Sequence, residues 1–96
     1  MIKLDLKTGM SDIKSKSEDE IEQAAGMSWG ARAAACYVLV VKTTDKLTKL
    51  KYLIRAEDNR HEALEHAALA GDGGKFVNEL QKELDAHRSA ALKSIT

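Results

Sequence analysis

The stretch from Lys75 to Ile95 constrains the fold more than any other part of the chain. Its apolar side chains recur at intervals of three and four residues, which places them within one sector of about 100° on a helical wheel. The residues in this sector, called here the α3 stripe, are Phe76, Val77, Leu80, Leu84, His87, Ala91 and Ile95. The spacing predicts a long amphipathic helix. The stripe either packs on the rest of the chain or forms part of an interface with a partner helix.

A second helix is predicted to begin after Ser17. The sequence "SEDE" is typical of a capping box, in which the Ser17 hydroxyl accepts from the amide of Glu20 and the Glu20 side chain accepts from the amide of Ser17. Acidic residues in the first turn also suit the positive end of the helix dipole. The end of this helix is less well defined. Gly26 favours a helix that ends near that residue, whereas the alanines that follow permit the helix to continue to about Ala35.

The central stretch, residues 36–56, permits two interpretations. The run "YVLVVKTT" is rich in β-branched residues, and residues 48–56 alternate in polarity except at Leu53. We therefore expect a β-hairpin that pairs residues 36–43 with residues 48–56. The alternative is a helix from Asp45 onward, with Leu47, Leu50 and Ile54 on one side.

The remaining elements complete a single small domain spanning residues 1–96. "IKLDLKTG" alternates in polarity and predicts a short strand at residues 2–8, and Asp58 or Asn59 is expected to cap a helix that ends near Ala70. The predicted order is β-α-β-β-α-α, an α+β fold in which a small antiparallel sheet carries helices. The alternative fold is an all-α helical bundle with one long central helix.

The sequence "HEALEH", residues 61–66, invites comparison with a zinc site. His61 and His66 are five residues apart, so their directions on a helix diverge by about 140°, whereas the histidines of an H-E-x-x-H motif are separated by four residues and share a face. We therefore predict no metal site here. No nucleotide-binding loop or catalytic triad can be assigned either, so we expect no cofactor and no enzymatic activity.

The charge is balanced overall but unevenly distributed. Lys and Arg together number 15, as do Asp and Glu together, and the formal net charge is zero. The central stretch is basic, and the side chains that could face an anion or a nucleic acid are Lys42, Lys46, Lys49, Lys51 and Arg55. The predicted hairpin would present them to phosphates, so a nucleic-acid-binding accessory protein is the alternative function. Zero net charge and a 4% aromatic content argue against it.

The remaining composition favours an interaction protein. Cys36 is the only cysteine, so no internal disulfide can form, and neither a signal peptide nor a membrane-length apolar run is evident, which predicts a cytoplasmic location. A chain of 96 residues with few aromatics buries little area, which favours a homodimer. We expect a small interaction or regulatory protein that binds another protein or itself. A compact, proline-free chain of this kind is typical of phage or mobile-element products.

Overall fold

The computed structural model describes residues 17–96, which form three α-helices. They are α1 (Glu18–Lys42), α2 (Lys46–Ala68) and α3 (Lys75–Ile95). Residues 17–96 contain no strand, so the predicted α+β fold is wrong and the all-helical alternative is what the structure shows. The strand predicted at residues 2–8 lies outside the described residues.

The hairpin predicted over residues 36–56 is replaced by the end of α1 and the first half of α2. Ala33, Tyr37 and Val40 are fully buried and are separated by four and three residues, which is the spacing of one helical face. Their packing against the other helices overrides the strand preference of the β-branched run, since that preference depends on a pleated neighbour and residues 17–96 contain no strand.

A polar connection between α1 and α2 takes the place of the predicted β-turn. Asp45 caps α2, because its carboxylate accepts from the backbone amide of Thr48 at 2.9 Å and from the Thr48 hydroxyl at 2.6 Å. These hydrogen bonds lower the pKa of Asp45 below its ordinary value. The helix predicted from Asp58 therefore begins at Lys46, twelve positions earlier, and ends at Ala68.

The predicted beginning of α1 is confirmed, and its predicted end is wrong. The Glu20 amide donates to the Ser17 hydroxyl at 3.1 Å, and the Ser17 amide donates to the Glu20 carboxylate at 3.0 Å. The helix continues through Gly26, which is buried. A Cβ at this position would lie 3.0 Å from the Phe76 ring and 3.3 Å from the Ala63 carbonyl oxygen. Gly26 therefore allows a close crossing of helices and does not end α1.

The helices are arranged so that α2 runs antiparallel to both α1 and α3. Across α1 and α2, Tyr37 contacts Glu57 and Glu22 contacts His66. Across α2 and α3, Lys49 contacts Ser94 and Arg60 contacts Asp85. The core between them is rich in alanine, and its largest fully buried side chains are Tyr37, Val40 and Leu84. The observed bounds of α3 are those that the sequence predicted.

Candidate functional site

The α3 stripe lies largely inside the bundle. Leu80, Leu84 and Ala91 are buried, and Phe76, Val77 and Ile95 are partly buried against the same core. His87 is exposed. The stripe therefore contributes mainly to packing within the chain, and its suggested contact with a partner helix remains a prediction.

The basic residues of the central stretch do not share one face. Lys49 is occupied within the bundle, where its ammonium donates to the Val40 carbonyl at 2.7 Å and to the Ser94 hydroxyl at 3.2 Å. The exposed members, Lys42, Lys46, Lys51 and Arg55, lie at the end of α1 and along the first half of α2. Without the hairpin, the surface predicted for phosphates is reduced to one end of the bundle.

The charges are segregated along the bundle, between two halves that we call the basic end and the acidic end. The basic end contains the α1–α2 connection, and its charged residues are Arg32, Lys42, Lys46, Lys49, Lys51, Arg55, Arg88 and Lys93, with the acids Asp45 and Glu57. The acidic end contains the start of α1, and its acids are Glu18, Asp19, Glu20, Glu22, Asp58, Glu62, Glu65, Asp72, Glu79, Glu83 and Asp85, with the bases Arg60, Lys75 and Lys82. The described part of the chain is therefore strongly dipolar.

The two histidines of α2 face different surroundings. His61 lies 3.5 Å from Glu65 on the exposed side of α2, whereas His66 reaches across to α1 and lies 3.1 Å from Glu22. Among residues 17–96, no group of three or more His, Cys, Asp or Glu side chains could hold a metal ion. In the described part of the chain, His61 and His66 therefore each pair with one carboxylate, and these pairs do not form a coordination site.

A polar cluster joins all three helices near the middle of the bundle. The Tyr37 hydroxyl donates to the Glu57 carboxylate at 2.6 Å, and Arg88 donates to the same carboxylate oxygen at 2.8 Å. Burial and the hydrogen bond to Glu57 raise the pKa of Tyr37 well above its ordinary value. Burial acts to raise the pKa of Glu57, but the hydrogen bonds from Tyr37 and Arg88 outweigh it, and that pKa lies below its ordinary value. The cluster fixes the relative positions of the helices.

We predict that Glu57→Gln weakens the pH dependence of the free energy of unfolding in the acid range. The pKa of Glu57 is lower in the folded chain than its ordinary value of 4.5. Ionised Glu57 therefore stabilises the folded chain above that pH, and this stabilisation is lost as the pH falls through the folded-state pKa. At neutral pH the variant should lose about 1 kcal/mol, since partial exposure screens the ion pair. Urea denaturation between pH 3 and pH 7 measures both effects. Asp58→Asn, an exposed change on the same helix, is the control. Equal acid dependence in Glu57→Gln and the native chain would contradict the assignment.

An apolar surface with several exposed side chains runs along α1 and is called here the α1 face. Its residues are separated by three or four positions and are Ala24, Met27, Ala31, Ala34, Val38 and Val41, of which Ala34 is partly buried against the core. Met27 is 56% exposed, Val38 37% and Val41 46%. The buried side of α1 adjoins this face, with its centre about 110° further round the helix, so α1 is apolar on two neighbouring faces and the bundle covers only one of them.

A groove runs between the α1 face and α3. One part, of about 170 Å³, is lined by residues that include Met27, Ala31, Glu83 and His87. A second part, of about 140 Å³, is lined by residues that include Val38, Val41, Lys42 and His87. The face therefore borders a shallow trough that is mostly apolar and carries Glu83, His87 and Lys42 in its lining, a shape suited to receiving another helix.

The sequence analysis missed the α1 face because it divided α1 between a short helix and a strand. The signal that identifies it is the regular spacing from Ala24 to Val41. That spacing is masked by a second set of apolar residues on the adjoining side of the helix, Ala33, Tyr37 and Val40 among them.

In the part of the chain that the structure describes, α1 is also the one helix long and apolar enough to cross a membrane. Its 18-residue window has a mean hydropathy of 1.3, and 28% of that window is buried. No unbroken apolar run of this length is present in α1, because Ser28 and Arg32 interrupt it. A core helix of a soluble protein meets the same criterion, as does a signal sequence, so length and composition do not decide between them.

Comparison of this chain with protein-family models, with curated proteins and with solved structures found no match.

Proposed function

We propose that this chain is a non-enzymatic interaction protein and that it binds a protein partner through the α1 face. The observation that carries the proposal is the exposure of large apolar side chains along one continuous line of α1. Met27 and Val41 are each about half exposed, although the same helix buries its other side completely at Ala33, Tyr37 and Val40. Contiguous exposed apolar surface of this kind is typical of protein interaction sites.

The polar cluster of Tyr37, Glu57 and Arg88 supports a structural role for these side chains and not a catalytic one. Tyr37, Glu57 and Arg88 satisfy one another by hydrogen bonds between helices, and the rise in the pKa of Tyr37 keeps its hydroxyl protonated. A group that serves as a general base needs a pKa near the working pH and access to a substrate. This cluster instead holds together the helices that form the trough.

The proposal predicts that Met27→Asp combined with Val38→Asp abolishes protein binding without unfolding the chain. Both side chains already contact water, so the core should persist, whereas two carboxylates in the trough would be desolvated on docking. Capture experiments should use the immobilised full chain, with cell lysate and with the free chain itself as ligands.

The matched control is Asn78→Asp combined with Gln81→Asp, two exposed positions on α3 that change the net charge equally. Every protein retained specifically by the native chain should be retained by the control and lost by the α1 variant. Identical retention by all three chains, with unchanged circular dichroism, would contradict the proposed function.

The basic end supports a second candidate function, binding to nucleic acid. Lys42, Lys46, Lys51 and Lys93 are exposed and lie at the same end of the bundle. We predict that any such binding falls steeply with salt, because each neutralised phosphate releases counterions. A fluorescence titration at low salt, with Lys42→Glu/Lys46→Glu as the comparison, measures this. Absence of binding to both duplex and single strands would eliminate this candidate.

A further inference from the structure

We infer that the partner of the α1 face is a second copy of this chain, docked so that the two α1 helices run antiparallel. This inference rests on the proposed function, because it names the partner of the same surface. It is carried by two independent features, the order of residues along the face and the direction of the charge segregation.

The α1 face is complementary to itself when one copy is reversed. With the two-fold axis beside the middle of the helix, Ala31 lies opposite Ala34 of the second copy, Met27 opposite Val38, and Ala24 opposite Val41. One two-fold axis relates all three pairs, and the alternating spacing of three and four residues continues along the whole contact between the two helices. The central alanines allow the helix axes to approach closely, and the larger side chains fill the space on either side.

The charges select the antiparallel orientation. α1 begins at the acidic end, with Glu18 and Asp19, and finishes at the basic end, with Lys42 followed by Lys46. Reversing one copy brings the acidic end of each chain beside the basic end of the other, twice by symmetry. A parallel pair would bring like ends together, and juxtaposed like charges oppose association.

The other exposed apolar side chains offer a less suitable surface. Leu47, Leu50 and Ile54 form a shorter line on α2, close to the charged Lys46 and Lys51. By contrast, the α1 face extends over about 26 Å at 1.5 Å per residue, and the one charged residue of α1 between Ala24 and Val41, Arg32, points about 130° away from the centre of the face. The inference therefore places the second copy on α1.

The first test measures mass as a function of concentration by sedimentation equilibrium on the full chain. The native chain should be a dimer, and Met27→Asp/Val38→Asp should raise the dissociation constant at least tenfold, whereas Ile54→Asp should not. A native chain that stays monomeric at high micromolar concentration overturns the inference. In that case the proposed function still stands if capture of another protein depends on Met27 and Val38, and it fails if no capture depends on them.

The orientation is tested with charge-reversed chains. Glu18→Lys/Asp19→Lys reverses the charges at the start of α1, and Lys42→Glu/Lys46→Glu reverses the charges at the end of α1 and the start of α2. Each variant alone should dimerise at least tenfold more weakly than the native chain, and an equimolar mixture should recover dimers because opposite ends meet again. Circular dichroism of each variant establishes that it is folded. Folded variants that dimerise as tightly alone as in the mixture would overturn the antiparallel arrangement.

Cysteine crosslinking tests the register in a Cys36→Ser background. Chains with Ala24→Cys should form disulfides with chains carrying Val41→Cys, since these positions face each other across the seam. Chains with Ala24→Cys alone should not crosslink efficiently; efficient crosslinking there indicates a parallel pair and overturns the inference.

A native chain that remains monomeric and floats with phosphatidylcholine vesicles would identify a lipid surface as the occupant of the α1 face instead, which also overturns the inference.

Discussion

Leu84→Ala is expected to destabilise the bundle by about 2–5 kcal/mol, the usual range for such a truncation in a core. The Leu84 side chain is 2% exposed and belongs to the cluster formed where α3 meets the other helices. Removing its methyl groups leaves a cavity between helices whose backbones cannot collapse freely. For a domain of this size, the midpoint of thermal unfolding should fall by more than about 10 °C.

The control is Leu47→Ala, which removes the same atoms from a side chain that is 63% exposed. This change should alter the free energy of unfolding by less than about 1 kcal/mol, because little buried area is lost. Urea denaturation of both variants provides the comparison. If Leu84→Ala unfolds at the same urea concentration as Leu47→Ala, α3 does not pack as described.

Gly26→Val is expected to destabilise the chain by about 1–3 kcal/mol or more, although valine has a higher helix propensity than glycine. Two of the atoms closest to the added Cβ are backbone atoms of α2, the Ala63 oxygen and the Ala67 nitrogen, each at 3.3 Å. The branched methyl groups would add to this conflict. The two helices must separate to accept the side chain, and Tyr37 and Phe76 would lose packing with them.

Alanine substitutions at the two buried glycines of α1 provide a matched comparison. Both gain about 1 kcal/mol of helix propensity. At Gly30 the closest atom to the added Cβ is the Leu80 Cδ1, at 3.0 Å, which a rotation of that side chain can move away. Gly30→Ala should therefore be more stable than Gly26→Ala in thermal denaturation. The reverse order would contradict the close crossing of α1 and α2 at Gly26.

The parts of the fold that could be predicted are those in which local chemistry and amphipathic spacing agree. The capping box at Ser17 defines the start of α1 without tertiary information, because its hydrogen bonds are local. α3 is polar on one side and apolar on the other, so its bounds were predicted correctly. The Asp45 cap was equally local, but the hairpin interpretation placed Asp45 between two predicted strands, and the helix from Asp45 onward was the alternative.

The central stretch was mispredicted because two competing signals overlap there. Residues 48–56 alternate like a strand at most positions, and the single exception, Leu53, is a helical core position packed against the bundle. In α1 the apolar residues occupy two faces, which removes the contrast that normally reveals a helix. The same distribution concealed the candidate surface, since Val38 and Val41, which lie within the predicted strand at residues 36–43, are partly exposed on a helix.

The measurement that tests the interaction surface most directly is methyl NMR of the full chain over a concentration series. We expect the methyl signals of Met27, Val38 and Val41 to shift progressively as the concentration rises, while those of Leu47 and Ile54 remain fixed. That result would locate self-association on the α1 face. Signals of Met27, Val38 and Val41 that stay constant up to millimolar concentration, or shifts confined to Leu47 and Ile54, would contradict it.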